Sequence, residues 1–346
     1  MKRNNALLQV VLLILNISTS YCRLRIGAFN VQTFGKAKYS NETLRNHLVT
    51  VVLKYDLILI QEIKDVSETM IFNFIQDCQA ESSTLDLIIS PRLGTSSYKE
   101  QYAVIFNTLK LSVKKQTVFD NPRNLFSRPP LIAHFTSPDH QFADFTVFGV
   151  HVDPDDVVQE LNEFPAAYEY AVSQGYPPQG IFMGDMNADC SYLSSRKYYD
   201  LLMTSDDRFK WLGVNDLDTT VSKKTTCYYD RIVLCGDLEP GDFTHPAIDL
   251  FDGEITNDLA KKISDHYPIY VTWKTGDYDD GNTVDADTSQ AISHFRNILK
   301  EFLCRCFPVL NECKDAEWLE SAVLFLSIVS ILICRRIVSY FNLVIT

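Results

Sequence analysis

The stretch Gly180-Ile-Phe-Met-Gly-Asp-Met-Asn-Ala-Asp-Cys190 is apolar at first and then stops abruptly in Gly184, Asp185, Asn187 and Asp189. A short apolar run of this kind reads as a buried strand. Its tip carries two carboxylates and a carboxamide, hard oxygen ligands suited to a divalent cation or a phosphate. The same residues are also ordinary turn chemistry, because Gly, Asp and Asn favour tight-turn backbone angles. What separates the two readings is whether other strands end in the same way.

Several do. Leu24 to Asn30 is strand-like and closes on Asn30, Asp56 to Glu62 closes on Gln61-Glu62, and Thr146 to His151 closes on His151. Asp230 lies in a strand over Tyr228 to Leu234. Asp265-His266 precedes one over Tyr267 to Trp273, and Glu100 precedes one over Tyr102 to Asn107. Asp86 to Ser90 and Leu111 to Phe119 read as further strands, while Asn41 to Lys54, Val66 to Cys78 and Asp155 to Ser173 have helical periodicity. Singly, each polar residue has a plain structural role: a solvated strand end, a core histidine, an Asp230–Arg231 salt bridge. Recurrence of Asn, Glu, Asp and His at strand ends points instead to one shared edge, where parallel neighbours would gather them. Strands that follow one another without an intervening helix predict an α/β (α+β) fold with mixed sheets and helices packed outside.

Composition narrows the function classes. With 46% hydrophobic and 12% aromatic residues, the 346-residue chain can bury a large core, which excludes a mainly disordered protein. A net charge of −12 argues against tight nucleic-acid binding through a broad basic surface, but not against an enzyme that meets a few phosphates through a cation and some arginines. Residues 1–22 read as a signal peptide, with Lys2 and Arg3 before an apolar stretch too short to span a membrane. Nine cysteines fit the oxidising compartment that follows, and Asn41-Glu-Thr43 is an N-glycosylation acceptor there.

Residues 23–274 are expected to form the catalytic domain, and 275–290 an acidic linker. Residues 291–320 form a short helical, Cys-containing segment, and 321–346 an apolar tail. The tail fits a single-pass anchor with Arg335-Arg336 as stop signal, a lipid-anchor signal, or a buried helix. Membrane attachment in the secretory pathway is the expectation, with the type of anchor left open.

Leu24-Arg-Ile-Gly-Ala-Phe-Asn, Leu59-Ile-Gln-Glu, Ser97-Tyr-Lys-Glu, Met183-Gly-Asp-Met-Asn-Ala-Asp-Cys, Tyr229-Asp-Arg-Ile-Val and Ile263-Ser-Asp-His-Tyr-Pro jointly resemble the deoxyribonuclease I family, in order and spacing, from about residue 24 to 273. The resemblance implies a four-layer sandwich of two mixed β-sheets with helices on the outer faces. It also implies endonucleolytic hydrolysis of DNA to 5′-phosphate ends with Mg²⁺ or Mn²⁺, Ca²⁺ supporting the structure. Carried over by position, Glu62 would hold the catalytic cation with Asn30 and Asp265 nearby. His151 would pair with Glu100 and His266 with Asp230, as acid and base respectively, while Asp185 and Asn187 would orient water and the scissile phosphate.

Tyr98, Arg128 and Lys64 stand at DNA-contacting positions, although Lys64 and Gln32 replace arginines common there. Cys190 and Cys227 match the family's structural disulfide. Asp218 and Thr220 resemble part of a calcium loop, but the stretch before Cys227 is one residue longer and carries Lys223 and Lys224. A monomer is expected, and actin binding stays open. Two alternatives share the scaffold: a sphingomyelinase-like or phosphatase enzyme acting on a lipid or inositol phosphate, and a non-catalytic binding protein.

Overall fold

Strand alternation builds two buried faces at once. The computed structural model describes residues 23–274, apart from 122, 139–141, 214–216 and 252–254. The signal peptide, linker, helical Cys-containing segment and apolar tail expected from the sequence lie outside the described residues. In β1 (Arg23–Phe34), Leu24, Ile26 and Ala28 face one core and Phe29 and Val31 another. In β2 (Leu57–Ile63), Leu57 and Leu59 oppose Ile58 and Ile60 in the same manner. Burial on both sides is why these strands read as continuous apolar runs.

With β3 (Leu85–Ile89), β4 (Gln101–Asn107), β11 (Ala247–Ile248) and β12 (Ile269–Lys274) they form one six-stranded sheet, ordered β11-β12-β1-β2-β4-β3. The second contains β5 (Ser112–Val118), β6 (Leu131–Thr136), β7 (Phe145–His151), β8 (Gly180–Asp185), β9 (Phe209–Leu212) and β10 (Asp230–Cys235), ordered β5-β6-β7-β8-β10-β9. Both sheets are mixed: β1–β2 and β7–β8 are parallel, and the other pairs antiparallel.

Between the sheets, Ile26, Leu57, Leu59 and Val104 meet Leu131, Val147, Ile181, Met183 and Ile232. Helices Glu42–Val52, Met70–Glu81 and Asn257–Ile263 cover the outer face of the first sheet. Helices Val157–Asn162 and Phe164–Ser173 cover the second. Phe182 shows the density of that outer layer, with Phe148 and Phe164 stacked on it at centroid distances of 4.0 and 5.0 Å. Truncating it to alanine removes both contacts and costs about 3–5 kcal/mol. The four-layer α/β sandwich of two mixed sheets is therefore present.

Two helices and three strands differ from expectation. The helix expected over Asp155 to Ser173 is two helices, because Pro165 supplies no N–H and starts a new one. The helix expected from Val66 begins at Met70, since the Asp65 carboxylate holds residues 67–70 in a turn by accepting from the N–H groups of Ser67, Thr69 and Met70. Strands β6, β9 and β11 were not legible, being short or placed directly after Pro129-Pro130. Among the described residues, no helix is long and apolar enough to cross a membrane.

Candidate active site

The polar strand ends continue the inward parity of the apolar ones. Leu24, Ile26 and Ala28 lead to Asn30, Leu57 and Leu59 to Gln61, Ile181 and Met183 to Asp185, and Val147 leads past Gly149 to His151. Reading backwards, Leu234 and Ile232 lead to Asp230, and Val104 and Tyr102 lead to Glu100. Register then sets neighbours: His151 and Asp230 both pair with Asp185, and Asn30 pairs with Gln61. Two facing rows of polar side chains thus close the end of the sandwich where the inter-sheet apolar core runs out.

Two carboxylate-held imidazoles dominate the site. Nδ1 of His151 lies 2.5 Å from Glu100 Oε1, and Nδ1 of His266 lies 2.7 Å from Asp230 Oδ2. Their free edges converge on a single atom: Asp185 Oδ2 lies 3.7 Å from His151 Nε2 and 3.5 Å from His266 Nε2. Asn30 Nδ2 donates to that same oxygen at 3.1 Å. The Asn187 backbone N–H donates to Asp185 Oδ1 (3.0 Å), and Asn187 Nδ2 donates to Val152 O (2.9 Å). Asn187 has a φ of +49°, a left-handed backbone that turns the chain sharply after β8.

Burial works against the charge on His266, but Asp230, Asp185 and Asp265 outweigh it and raise the imidazole to about 10. Burial also raises the Asp230 carboxyl, against the opposing pull of His266. Both shifts have one sign because the buried acidic pair retains a proton beside it. These neighbours make the His266 imidazole more basic than an ordinary one.

Of the expected cation ligands, Asn30 and Glu62 lie on the first sheet and Asp265 on the segment before β12. At Glu62, burial works to raise the carboxyl, but the Lys64 ammonium, His151 and the Thr33 amide hold it at about 2. Its Oε2 accepts from Lys64 Nζ (2.7 Å) and Thr33 N (2.8 Å). By parity Glu62 belongs on the outer face, but a φ of +58° and a register shift between Ile60 and Ile63 re-aim it. Gln32 donates through its backbone to Asn30 Oδ1 and through Nε2 to Asp265 Oδ2 (2.9 Å), joining the other two candidates.

Two carboxylates and a carboxamide are a hard oxygen set of the kind Mg²⁺ or Mn²⁺ takes, and Glu62 stays ionised at all relevant pH, so the residues fit a divalent cation. Among the described residues, Asp185, Asp230 and His266 also bring one ligand atom each within 4.8 Å of one another. Their internal hydrogen bond makes them better suited to holding a proton.

The remaining candidates divide. Tyr98 is exposed, with Lys64 Nζ 5.3 Å from its ring centre, so both stand at the rim. Arg128 is largely covered and props the first dyad, donating from Nε to His151 O at 2.9 Å and lying 3.6 Å from Glu100. Asp218 Oδ1 accepts from Thr220 N, Thr220 Oγ1 and Cys227 N, knitting the candidate calcium loop together. Cys190 and Cys227 are disulfide-bonded with Cα atoms 5.9 Å apart, and Asp189 braces that link by accepting from Tyr228 N. The exposed Asn41 caps helix Glu42–Val52, its side chain accepting from Leu44 N.

Some supporting residues were missed. Ser264 Oγ donates to Asn30 O (2.6 Å) and accepts from His266 N (3.1 Å), and Tyr102 OH accepts from His151 N. Lys38 Nζ donates to the carbonyls of Val31, Gln32 and Ile263, pinning β1 to the segment before His266. Ser264 lies inside a quoted motif. Lys38 has no local signal, because its partners are distant backbone carbonyls.

Strand ends of a mixed-sheet sandwich bearing His–carboxylate dyads define a class of phosphoester hydrolases. Consistent with this, the sequence profile described as the Endonuclease/Exonuclease/phosphatase family matches residues 27–266. Deoxyribonuclease gamma of Mus musculus is 35% identical over 257 residues, covering 71% of this chain and 83% of that protein. Deoxyribonuclease-1 of Bos taurus is 34% identical over 261 residues, covering 72% and 92%. Among solved structures, D. rerio TDP2 complexed with single strand DNA product superimposes with a TM-score of 0.53 at 18% identity, covering 73% of this chain and 99% of that one. The chain belongs to the endonuclease/exonuclease/phosphatase family and, within it, to the deoxyribonuclease I family.

Proposed function

We propose that this chain is a divalent-cation-dependent endonuclease that hydrolyses DNA phosphodiester bonds, leaving 5′-phosphate ends. The observation that carries the reading is the pair of dyads, His151 with Glu100 and His266 with Asp230, facing one oxygen of Asp185. Phosphodiester hydrolysis needs a proton taken from water and one delivered to the leaving 3′ oxygen, which two positioned imidazoles supply near neutral pH. Asp185 and Asn187 orient the attacking water and the scissile phosphate.

The sequence-based expectation gave His266 the role of base. We keep His266 with Asp230 as the base and His151 with Glu100 as the acid: Asp230, Asp185 and Asp265 make the His266 imidazole more basic, which suits it to take a proton from water. Glu62, with Asn30 and Asp265, would hold Mg²⁺ or Mn²⁺, which when bound offsets charge developing on the phosphate oxygens. Asp218 and Thr220 would serve a structural Ca²⁺. Tyr98 and Lys64 at the rim are the groups that would meet DNA phosphates, together with Arg128, which also braces the His151–Glu100 dyad.

The names of the relatives support DNA over a lipid phosphoester as substrate. The disulfide supports a secretory-pathway protein, with the apolar tail as its membrane attachment. Purified protein is expected to nick supercoiled plasmid with Mg²⁺ and Ca²⁺, and His266→Ala to abolish nicking. No nicking, with release of phosphocholine or phosphate from a lipid, overturns the reading.

A further inference from the structure

Gln61 is fully buried, and β2 parity aims it between the sheets after Leu57 and Leu59, where an apolar side chain would ordinarily sit. Its carboxamide makes both its hydrogen bonds across the gap to the second sheet. Nε2 donates to Val150 O of β7 at 2.7 Å, and Oε1 accepts from the backbone N–H of Asp185 at 3.2 Å. A buried amide without partners is penalised by about 1–3 kcal/mol, so these two contacts decide where the glutamine can lie.

Gly184 is fitted to that approach. It has a φ of +139°, and an added Cβ would stand 2.0 Å from Val150 O and 3.0 Å from Gln61 Nε2. On its own sheet Gln61 pairs with Asn30 and immediately precedes Glu62. Asn30 Nδ2 holds the Asp185 carboxylate while Gln61 holds the Asp185 amide, so two neighbouring side chains of one sheet grip both ends of one residue on the other.

We propose that Gln61 is a positioning residue that sets the spacing between the half-site on the first sheet, Asn30 and Glu62, and the half-site on the second, His151 and Asp185. The inference rests on the reading above that Asp185 serves the reaction. An apolar residue of equal volume would fill the space but remove both cross-sheet bonds, leaving the Asn30 Nδ2 bond to Asp185 Oδ2 to hold that carboxylate without support at its backbone. Gln61 itself stays out of reach of the substrate.

Two substitutions in the full chain test this. Gln61→Met keeps the volume and removes both bonds. Gln61→Glu keeps the shape and, while its carboxyl is protonated, both bonds as well, donating to Val150 O and accepting from Asp185 N. Gln61→Met is expected to lower kcat for plasmid nicking about 10- to 100-fold while KM for DNA stays within about twofold. Gln61→Glu is expected to match the parent at acidic pH and to fall away as pH rises.

Asp185→Asn, run in parallel, separates the two levels. If it nicks at the parental rate, the reading of the site fails. If it is inactive while folded Gln61→Met keeps parental kcat, the positioning role alone fails. A Gln61→Glu enzyme impaired equally at every pH also overturns the positioning role, and remains measurable if Gln61→Met does not fold.

Discussion

Asp185 Oδ2 stands 3.5 Å from Nε2 of His266, and the same oxygen lies 3.7 Å from Nε2 of His151. One carboxylate thereby lies beside both imidazoles. Replacing it with asparagine keeps the shape and removes the charge. Asp185→Asn is expected to reduce plasmid nicking about 10²- to 10⁴-fold. It should also lower the His266 pKa from about 10, which an NMR titration of the imidazole would follow. An unchanged pKa would separate Asp185 from the His266 charge.

Protons on His266 tie stability to pH. Its folded pKa of about 10 exceeds the ordinary 6.5, so the folded protein binds the proton more tightly than the unfolded chain. That contribution is fully present below about 6.5 and disappears as pH rises towards 10. The Asp230 carboxyl, raised by burial despite His266, acts in the same direction. The melting temperature should therefore decline across this window, and His266→Ala should flatten the decline. An equally steep decline in the variant would assign it to other groups.

Lys64 Nζ sits 2.7 Å from Glu62 Oε2 and 3.8 Å from Glu100 Oε2, so an ammonium already neutralises the carboxylate expected to bind the cation. Lys64→Met is expected to raise Mn²⁺ affinity about 5-fold, equivalent to about 1 kcal/mol for a partly exposed pair. Glu62→Gln should weaken it severely. Titration calorimetry on both variants checks this, and identical affinities for Lys64→Met and the parent would rule out competition.

The same carboxylate sets an acid limit. The Glu62 pKa of about 2 lies below its ordinary 4.5, so its contribution holds above about 4.5 and is lost as pH falls towards 2. Acid unfolding monitored by circular dichroism should lose part of its steepness in Glu62→Gln. A curve unchanged by the substitution would mean that Glu62 carries no such linkage.

Closing a loop with a sequence separation of 37, the Cys190–Cys227 bond restricts the unfolded chain more than the folded one. Cys190→Ser with Cys227→Ser should lose about 3–4 kcal/mol of stability, read as a lower denaturant midpoint. Asp189 and Asp218 still accept from Tyr228 N and Cys227 N, so the loop should keep its course and part of its activity. Complete unfolding at room temperature would contradict that.

Much of this architecture is written locally. Period-2 alternation placed Asn30, Asp185, Asp230 and His151 on strands, and the recurrence of such residues at strand ends marked a shared edge. Pro165 splits a helix that periodicity alone reads as continuous, and β6 was hidden by Pro129-Pro130 directly before it, a dipeptide that reads as loop. Motif resemblance supplied the partners Glu100 and Asp230. No spacing rule could, because His151 and Glu100 are 51 residues apart in the chain and meet only across the two sheets.

Residue type and alternation are properties of the chain, and they were enough to say that carboxylates, carboxamides and imidazoles would line one edge of mixed sheets with helices outside; the sandwich arrangement was implied by the motif resemblance. Distances and protonation were decided by folding. A left-handed backbone at Glu62 overrides its strand parity. Gln61 satisfies its amide on the opposite sheet. The His266 imidazole is made more basic because Asp230 and Asp185, 36 and 81 positions earlier in numbering, are packed beside it away from water. Each depends on long-range contact in a medium of low dielectric, where a neighbour's charge or hydrogen bond counts for far more than it does in the solvated chain.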